Sequence, residues 1–265
     1  MNRQRILLAV AMTEEALPLR EHFGMRTISP SPLDPLPAQV ASAESSRAEI
    51  ILVTNGVVTW HDESGAREVD LIGTVPSALT LQRAILAFSP SIVVNIGVCG
   101  GYARHGAAIG NVYLANHAYF HDRRVPDEPG LNGWHHFLRR DFLAFDPTPL
   151  AEALGLPLAA VTTGDAFDLS AIDEARIGAN GATLKEMEAA AFAWTAAIYR
   201  TPIVLLKAVT DIVDQVEHPN ERQFVENLRL ATARLSHHAI KLIDYIAAHP
   251  IDAMGHPRAA ALSSP

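Results

Sequence analysis

Six short, mainly apolar runs recur along the chain: Ile6–Ala11, Ile50–Val53, Ile92–Ile96, Val112–Ala115, Leu158–Val161 and Ile203–Val209. Their apolar residues follow one another instead of alternating with polar ones, the pattern of strands buried on both faces. Such strands need helices on either side of their sheet. Helical patterns lie between and after them. Thr74–Phe88 opens on a threonine and carries Pro76 in its first turn, where a missing N–H is tolerated. Ala189–Tyr199 is rich in alanine, and Glu221–Ala247 spaces its apolar residues for one buried face. The alternation predicts an α/β fold.

No Gly/Ser-rich or Pro-rich linker divides the middle of the 265 residues, so one domain is expected, spanning residues 1–250. Residues 251–265, beyond Pro250, read as a frayed or disordered tail. Ser29–Pro37 holds four prolines, which exclude a helix or a central strand. His121–His136, rich in Pro, Gly and charge, reads as a surface loop.

Acidic residues exceed basic ones by 8 with no Lys/Arg-rich run, which argues against nucleic acid or an anionic membrane as partner. Cys99 is the single cysteine and has no internal disulfide partner, so a reducing, cytoplasmic setting is expected. Met1–Met12 mimics a signal peptide, but its apolar run is short and Glu14 and Glu15 follow at once. No apolar stretch is long enough to span a bilayer.

Two acidic motifs sit where ligands gather in such sheets, beyond the carboxyl ends of strands, and a third opens a helix. Glu14–Glu15 follow the first run; their local pattern equally fits a helix start capped by Thr13. Asp211 ends the last run, where a dry pocket would suit a general acid and a turn would suit a structural aspartate. Glu186-Met187-Glu188 precedes the alanine-rich helix; the acids fit a helix N-terminus, and also ribose hydroxyls with Met187 against the sugar face. Asn95-Ile96-Gly97-Val98-Cys99-Gly100-Gly101 follows a strand, and its glycines allow close backbone approach to a ligand, but the dinucleotide-binding spacing is absent. The adjacent pairs His135-His136 and His237-His238 do not share a helix face, and further ligands at metal spacing are missing, so no metal is expected. His121-Asp122-Arg123-Arg124 fits an anion site or, more ordinarily, a salt-bridged loop.

Taken in order, these segments resemble the nucleoside phosphorylase/nucleosidase family, and most of all its plant-type 5'-methylthioadenosine/S-adenosylhomocysteine nucleosidases. The likeness runs through Ala11-Met12-Thr13-Glu14-Glu15-Ala16-Leu17-Pro18-Leu19, Gly73-Thr74-Val75-Pro76 and Asn95–Gly101. It continues through Phe120–Arg124, Thr163-Gly164-Asp165, Ala182–Glu188 and Leu206–Asp211. It covers roughly residues 5 to 245, and the order and spacing of these modest motifs make it specific.

The resemblance implies a central mixed, twisted sheet flanked by helices. It implies that Glu15 is the base activating the attacking water and that Asp211 is the acid protonating adenine. Glu188 would accept the ribose hydroxyls with Glu186 and Met187 beside the sugar. Phe167 would stack on adenine, the backbone at Asp168 would read the purine edge, and Gly97 would lie against the ligand. It implies hydrolysis of an adenine nucleoside, without cofactor or metal, by a homodimer. Adenine leaves poorly as an anion, so a proton donor and a water-activating carboxylate on opposite faces meet the chemistry, as in inverting glycosidases.

The chain departs from the family at three places. Val98 stands where a Ser or Thr hydroxyl is usual, which removes a hydrogen-bond partner from Asp211 and leaves the acid in a drier setting. Asp127 and Glu128 make the loop after Arg124 unusually acidic; in relatives this region helps line the 5' pocket of the neighbouring subunit, and two acids there would favour methylthioadenosine over S-adenosylhomocysteine. The insert Trp60–Glu68 replaces the usual short loop. Two alternatives remain: a phosphorylase of the same fold, for which Arg67 and Arg83 are candidate anion ligands, and a non-catalytic nucleoside-binding protein.

Overall fold

The computed structural model describes residues 4–62, 65–126, 128–215 and 221–258. Its strands are β1 (Gln4–Val10), β2 (Arg26–Thr27), β3 (Val40–Glu44), β4 (Ala48–Thr54), β5 (Val57–Asp62), β6 (Gly65–Asp70), β7 (Ile92–Gly101), β8 (Val112–Phe120), β9 (Phe145–Asp146), β10 (Leu158–Thr163), β11 (Leu184–Glu186), β12 (Ile203–Ile212) and β13 (His256–Pro257). Its helices are α1 (Thr13–His22), α2 (Thr74–Phe88), α3 (Asn132–Leu138), α4 (Thr148–Leu154), α5 (Ala171–Asn180), α6 (Ala189–Ile198) and α7 (Glu221–Ala248).

Nine strands form one mixed sheet in the order β11-β10-β8-β12-β7-β1-β4-β3-β2. β11 also pairs with β7, so β7, β12, β8, β10 and β11 close into a ring, and β1, β4, β3 and β2 extend from it as an open wing. β7 serves both parts: Ile92–Asn95 pair with β1, while Gly100 and Gly101 pair with Lys185 and Leu184 of β11. The sheet is buried on both faces, as the continuous apolar runs predict. In β1, Leu7 and Ala9 join the core under α2 and α6, whereas Ile6, Leu8 and Val10 join the core under α1 and α7. Leu235, Leu242, Ile243 and Ile246 of α7 are fully buried, each contributing about 1.5–3 kcal/mol of apolar transfer free energy.

All six apolar runs are strands, and α2, α6 and α7 lie where the helical patterns put them. Several segments differ from expectation. Residues 251–258 are docked on the domain: Met254 is fully buried, β13 pairs with β9, and Arg258 bonds Asp141 and the carbonyl of Asn116. A buried Met and a neutralised Arg give that segment more stabilisation than its composition indicates; residues 259–265 lie outside the described residues. His121–His136 is not wholly loop, since a 3-10 turn at Pro129–Leu131 leads into α3. The Trp60–Glu68 insert belongs to a two-stranded hairpin of β5 and β6, whose last residue, Asp70, accepts both the backbone N–H and the hydroxyl of Thr13. The N-cap of α1 is therefore Met12, not Thr13. Among the described residues, no helix is long and apolar enough to cross a membrane.

Candidate active site

The carboxyl ends of β1, β7, β11 and β12 converge on one cleft of about 560 Å³, lined among others by Glu14, Glu15, Val98, Phe167, Asp168, Glu186, Met187, Glu188 and Asp211. Sites at such strand ends are usual in α/β folds. Of the predicted site residues only Gly97 does not line it. Gly97 sits behind the cleft, where an added Cβ would come 3.2 Å from Lys207 Nζ and 3.3 Å from Glu15 Oε1, so its missing side chain leaves room for both.

Glu15 is buried, in the first turn of α1. Its Oε1 accepts the N–H of Val98 at 2.7 Å and its Oε2 that of Met12 at 3.2 Å. These two backbone donors fix the carboxyl's direction. Burial raises its pKa to about 7, and the Val98 hydrogen bond and the Lys207 charge offset only part of that.

The Glu186-Met187-Glu188 motif divides its two acids between different tasks. Glu186 Oε1 accepts the Thr163 hydroxyl at 2.5 Å. Its Oε2 accepts Lys207 Nζ at 2.9 Å and the N–H groups of Glu188 and Ala189 at the start of α6. Both oxygens are thus committed to protein donors. Glu188 Oε1 accepts the N–H of Gly73 at 2.8 Å, which leaves its second oxygen for the cleft. Burial, reinforced by the neighbouring Glu186, raises the Glu188 pKa to about 7.

Lys207 had no place among the expected site residues, yet it is 1% exposed at the centre of this group. Burial opposes its charge, but Glu186, Glu188 and Glu15 outweigh that and hold its pKa above the ordinary lysine value. A lysine inside the apolar run Ile203–Val209 was the available signal, because such a residue is buried only with a partner. Gly73 was part of a matched motif without a role. Its φ of +98° lies in the left-handed region, and a Cβ there would meet Asp165 Oδ1 at 2.6 Å. Asp165 in turn accepts the N–H and hydroxyl of Thr74, so the strap entering α2 is tied to the site from both sides.

Asp211 faces the cleft because β12 bulges at Thr210: Val209 pairs with Cys99 and Asp211 with the next residue, Gly100. Thr210 Oγ1 lies 2.7 Å from Asp211 Oδ1. The acid therefore has a hydroxyl partner despite Val98, whose side chain lines the cleft and whose N–H holds Glu15. Val98 itself offers Asp211 no hydroxyl, and the one the acid has comes from its neighbour on β12.

Phe167 borders the cleft with 78% of its surface exposed, a free aromatic face. Lys185 Nζ donates to the carbonyls of Ala166 and Phe167 beside it. Glu128 is exposed and does not line the cleft of its own chain; Asp127 lies outside the described residues. Arg67 pairs with Asp62 on the hairpin and Arg83 donates to the carbonyl of Asp34, so neither reaches the cleft. In the His121–Arg124 segment, Arg124 pairs with Asp173, and Arg123 lies over the rings of Phe120 and Trp194. Among the described residues no group of three or more His, Cys, Asp or Glu side chains is placed to hold a metal ion.

Comparison with known proteins agrees with this architecture. Residues 5–244 match the phosphorylase superfamily. The 5'-methylthioadenosine nucleosidase of Arabidopsis thaliana is 39% identical over 242 residues, 91% of this chain and 86% of that protein. The 5'-methylthioadenosine/S-adenosylhomocysteine nucleosidase of the same plant is 42% identical over 179 residues, 67% of this chain and 68% of that one. The apo structure of the Arabidopsis thaliana 5'-methylthioadenosine nucleosidase superposes with a TM-score of 0.84 at 37% identity, covering 96% of this chain and all of that one. The chain belongs to the phosphorylase superfamily and, within it, to the plant-type 5'-methylthioadenosine/S-adenosylhomocysteine nucleosidases.

Proposed function

We propose that this protein hydrolyses the N-glycosidic bond of 5'-methylthioadenosine to adenine and 5-methylthioribose. Asp211 gives its proton to a purine ring nitrogen while the glycosidic electron pair leaves with the base. Glu15 takes the proton of the water that attacks the oxocarbenium-like ribosyl carbon. The observation that carries this reading is Glu15 itself, a buried carboxyl aimed by two backbone N–H groups with a pKa near 7, in the same cleft as Asp211. A base titrating near the working pH is favourable for proton abstraction. Glu188 receives ribose hydroxyls, Met187 packs on the sugar, Phe167 stacks on adenine and the Asp168 backbone meets the purine edge. Gly97 takes its part at one remove, by leaving space for Glu15.

Water is favoured over phosphate as the nucleophile. Among the described lining residues Lys185 is the one cation, and it is engaged by two carbonyls, while Glu14 and Glu15 repel a dianion. Incubation with methylthioadenosine with and without phosphate tests this. Adenine release with a reducing sugar in both conditions is expected; phosphate dependence would make the protein a phosphorylase, and no turnover a binding protein.

Met12, Ile72, Val213 and Leu228 give the cleft an apolar complement that suits a small neutral 5' group, and Glu14 repels the carboxylate of a homocysteine tail. We therefore assign methylthioadenosine as preferred over S-adenosylhomocysteine, a ranking that kcat/KM for the two substrates measures. We further assign the protein to methionine salvage in the cytoplasm, as a homodimer. Light scattering at micromolar concentration should give twice the 28.6 kDa chain mass.

A further inference from the structure

Lys185, Gly100 and Asp211 stand abreast on three neighbouring strands, β11, β7 and β12, because Gly100 is the register partner of both. Gly100 has no side chain to separate them. A Cβ there would come 3.0 Å from Asp211 Oδ2 and 2.6 Å from Val213 Cγ2, so nothing bulkier than hydrogen is accommodated without displacement. Lys185 is 7% exposed, lines the cleft, and donates from Nζ to the carbonyl oxygens of Ala166 at 3.0 Å and Phe167 at 2.9 Å.

We propose that Lys185 is a positioning residue for the glycosidic cleavage: it pins the backbone that carries the purine platform, and it holds a positive charge opposite the carboxylate that Asp211 becomes on giving up its proton. The inference rests on the reading of Asp211 as the acid. The platform loop needs such an anchor. Phe167 packs on little of the protein, and before it the loop is tied at Gly164, whose N–H donates to the carbonyl of Glu186, and at Asp165, whose N–H donates to Asp122 and whose carboxylate holds Thr74. Lys185 adds a tie at the platform itself, at the carbonyls of Ala166 and Phe167.

The charge has a direction as well. Burial is the largest influence on the ammonium and holds its pKa below the ordinary lysine value; the carboxylates that oppose it are, in order, Asp211 on β12, Asp168 on the platform loop, Asp173 on α5 and Glu186 on β11 itself. Asp211 is thus the first of the carboxylates acting on Lys185, and the attraction within that pair is mutual. In bond cleavage the purine arrives neutral and leaves neutral, taking its proton from Asp211. The charge that develops on the protein at this step is the Asp211 carboxylate, and a fixed cation beside it lowers the barrier without reorganising.

The test compares the wild type with Lys185→Met, Lys185→Gln and Lys185→Arg. Three quantities are read: the melting midpoint, the adenine Kd by calorimetry, and kcat and KM for methylthioadenosine. Lys185→Met should lower kcat roughly 10²- to 10³-fold, the scale of losing one preorganised electrostatic contact, and weaken adenine binding about 10-fold. Lys185→Gln, keeping an N–H donor without charge, should regain adenine binding more than kcat, and Lys185→Arg should regain both. A Met variant with kcat and KM near wild type overturns the proposal. So does one that only melts earlier, since a purely structural lysine would move stability alone. If the Met variant fails to fold, equal kcat in the Gln and Arg variants overturns the charge assignment. A wild type that releases no adenine would instead sink the nucleosidase reading and the charge assignment with it, and adenine binding by the variants then decides the platform role.

Discussion

The hydroxyl of Thr210 lies 2.7 Å from Asp211 Oδ1 and 3.1 Å from the carbonyl oxygen of Cys99. It has a single proton to give. Facing a protonated Asp211, Thr210 accepts from the acid and donates to Cys99; facing the carboxylate, it donates to Asp211. One hydroxyl therefore partners Asp211 in either protonation state, which suits the proposed role of that residue as acid.

Thr210→Val should lower kcat about 10-fold, the weight of one lost hydrogen bond to an ionisable group, while Thr210→Ser stays near wild type. Asp211→Asn should cost about 10²–10⁴ in kcat with the fold intact, as expected for a general acid. Steady-state kinetics with methylthioadenosine and the melting midpoint check both. Near-normal turnover in Asp211→Asn would remove it from the mechanism.

Glu15 must be ionised to accept a proton, and its pKa stands at about 7. The acid limb of kcat/KM should therefore rise with pH and level off above about 7. Glu15→Gln should abolish turnover while nucleoside binding survives. Glu188→Gln should weaken nucleoside binding as well, through lost charge-assisted contacts to the sugar. Calorimetry with methylthioadenosine separates the two, and the opposite pattern would exchange their roles.

The same raised pKa has a stability consequence. Between the ordinary 4.5 and about 7 the native state holds a proton on Glu15 that the unfolded chain has lost. Unfolding there releases that proton, so stability falls as pH rises through this window. Wild type should lose melting temperature relative to Glu15→Gln between pH 5 and pH 8. A constant difference across that range would contradict a buried neutral Glu15.

Gly73→Ala should destabilise the fold by about 1–3 kcal/mol, because a φ of +98° strains an alanine. It should also reduce activity, since the added methyl would press on Asp165 and shift the N–H that holds Glu188. Denaturant unfolding and kcat/KM report the two effects. An alanine variant equal to wild type in both would show that the strap is not needed.

Met254→Ala should cost about 2–4 kcal/mol, the range for emptying a buried methionine site, with kcat unchanged because the residue is not among those lining the cleft. Wild-type unfolding in this variant would mean that residues 251–258 are not docked in solution.

Burial leaves a one-dimensional trace, and the chain's own order of residues carried that part. Strands covered on both faces must be continuously apolar, so β1, β4, β7, β8, β10 and β12 could be read directly, as could α2 from its first-turn proline. Glu15 and Asp211 stood out because they lie at the ends of such runs, and Glu186 and Glu188 because they precede an alanine-rich helix. The assignment of tasks among them came only with tertiary structure. Glu15 meets Val98 across 83 residues and Glu188 meets Gly73 across 115. Lys207 reads locally as a flaw in a strand until Glu186 is set 2.9 Å away. β11 and the hairpin of β5 and β6 were missed because three residues, or a polar exposed pair of strands, carry little hydrophobic signal. The docking of Met254 and the alignment of Lys185, Gly100 and Asp211 depend on strand register and packing between distant segments. Local propensity says which residues prefer a strand, whereas the free energy that fixes one strand against another arises only when both are buried together.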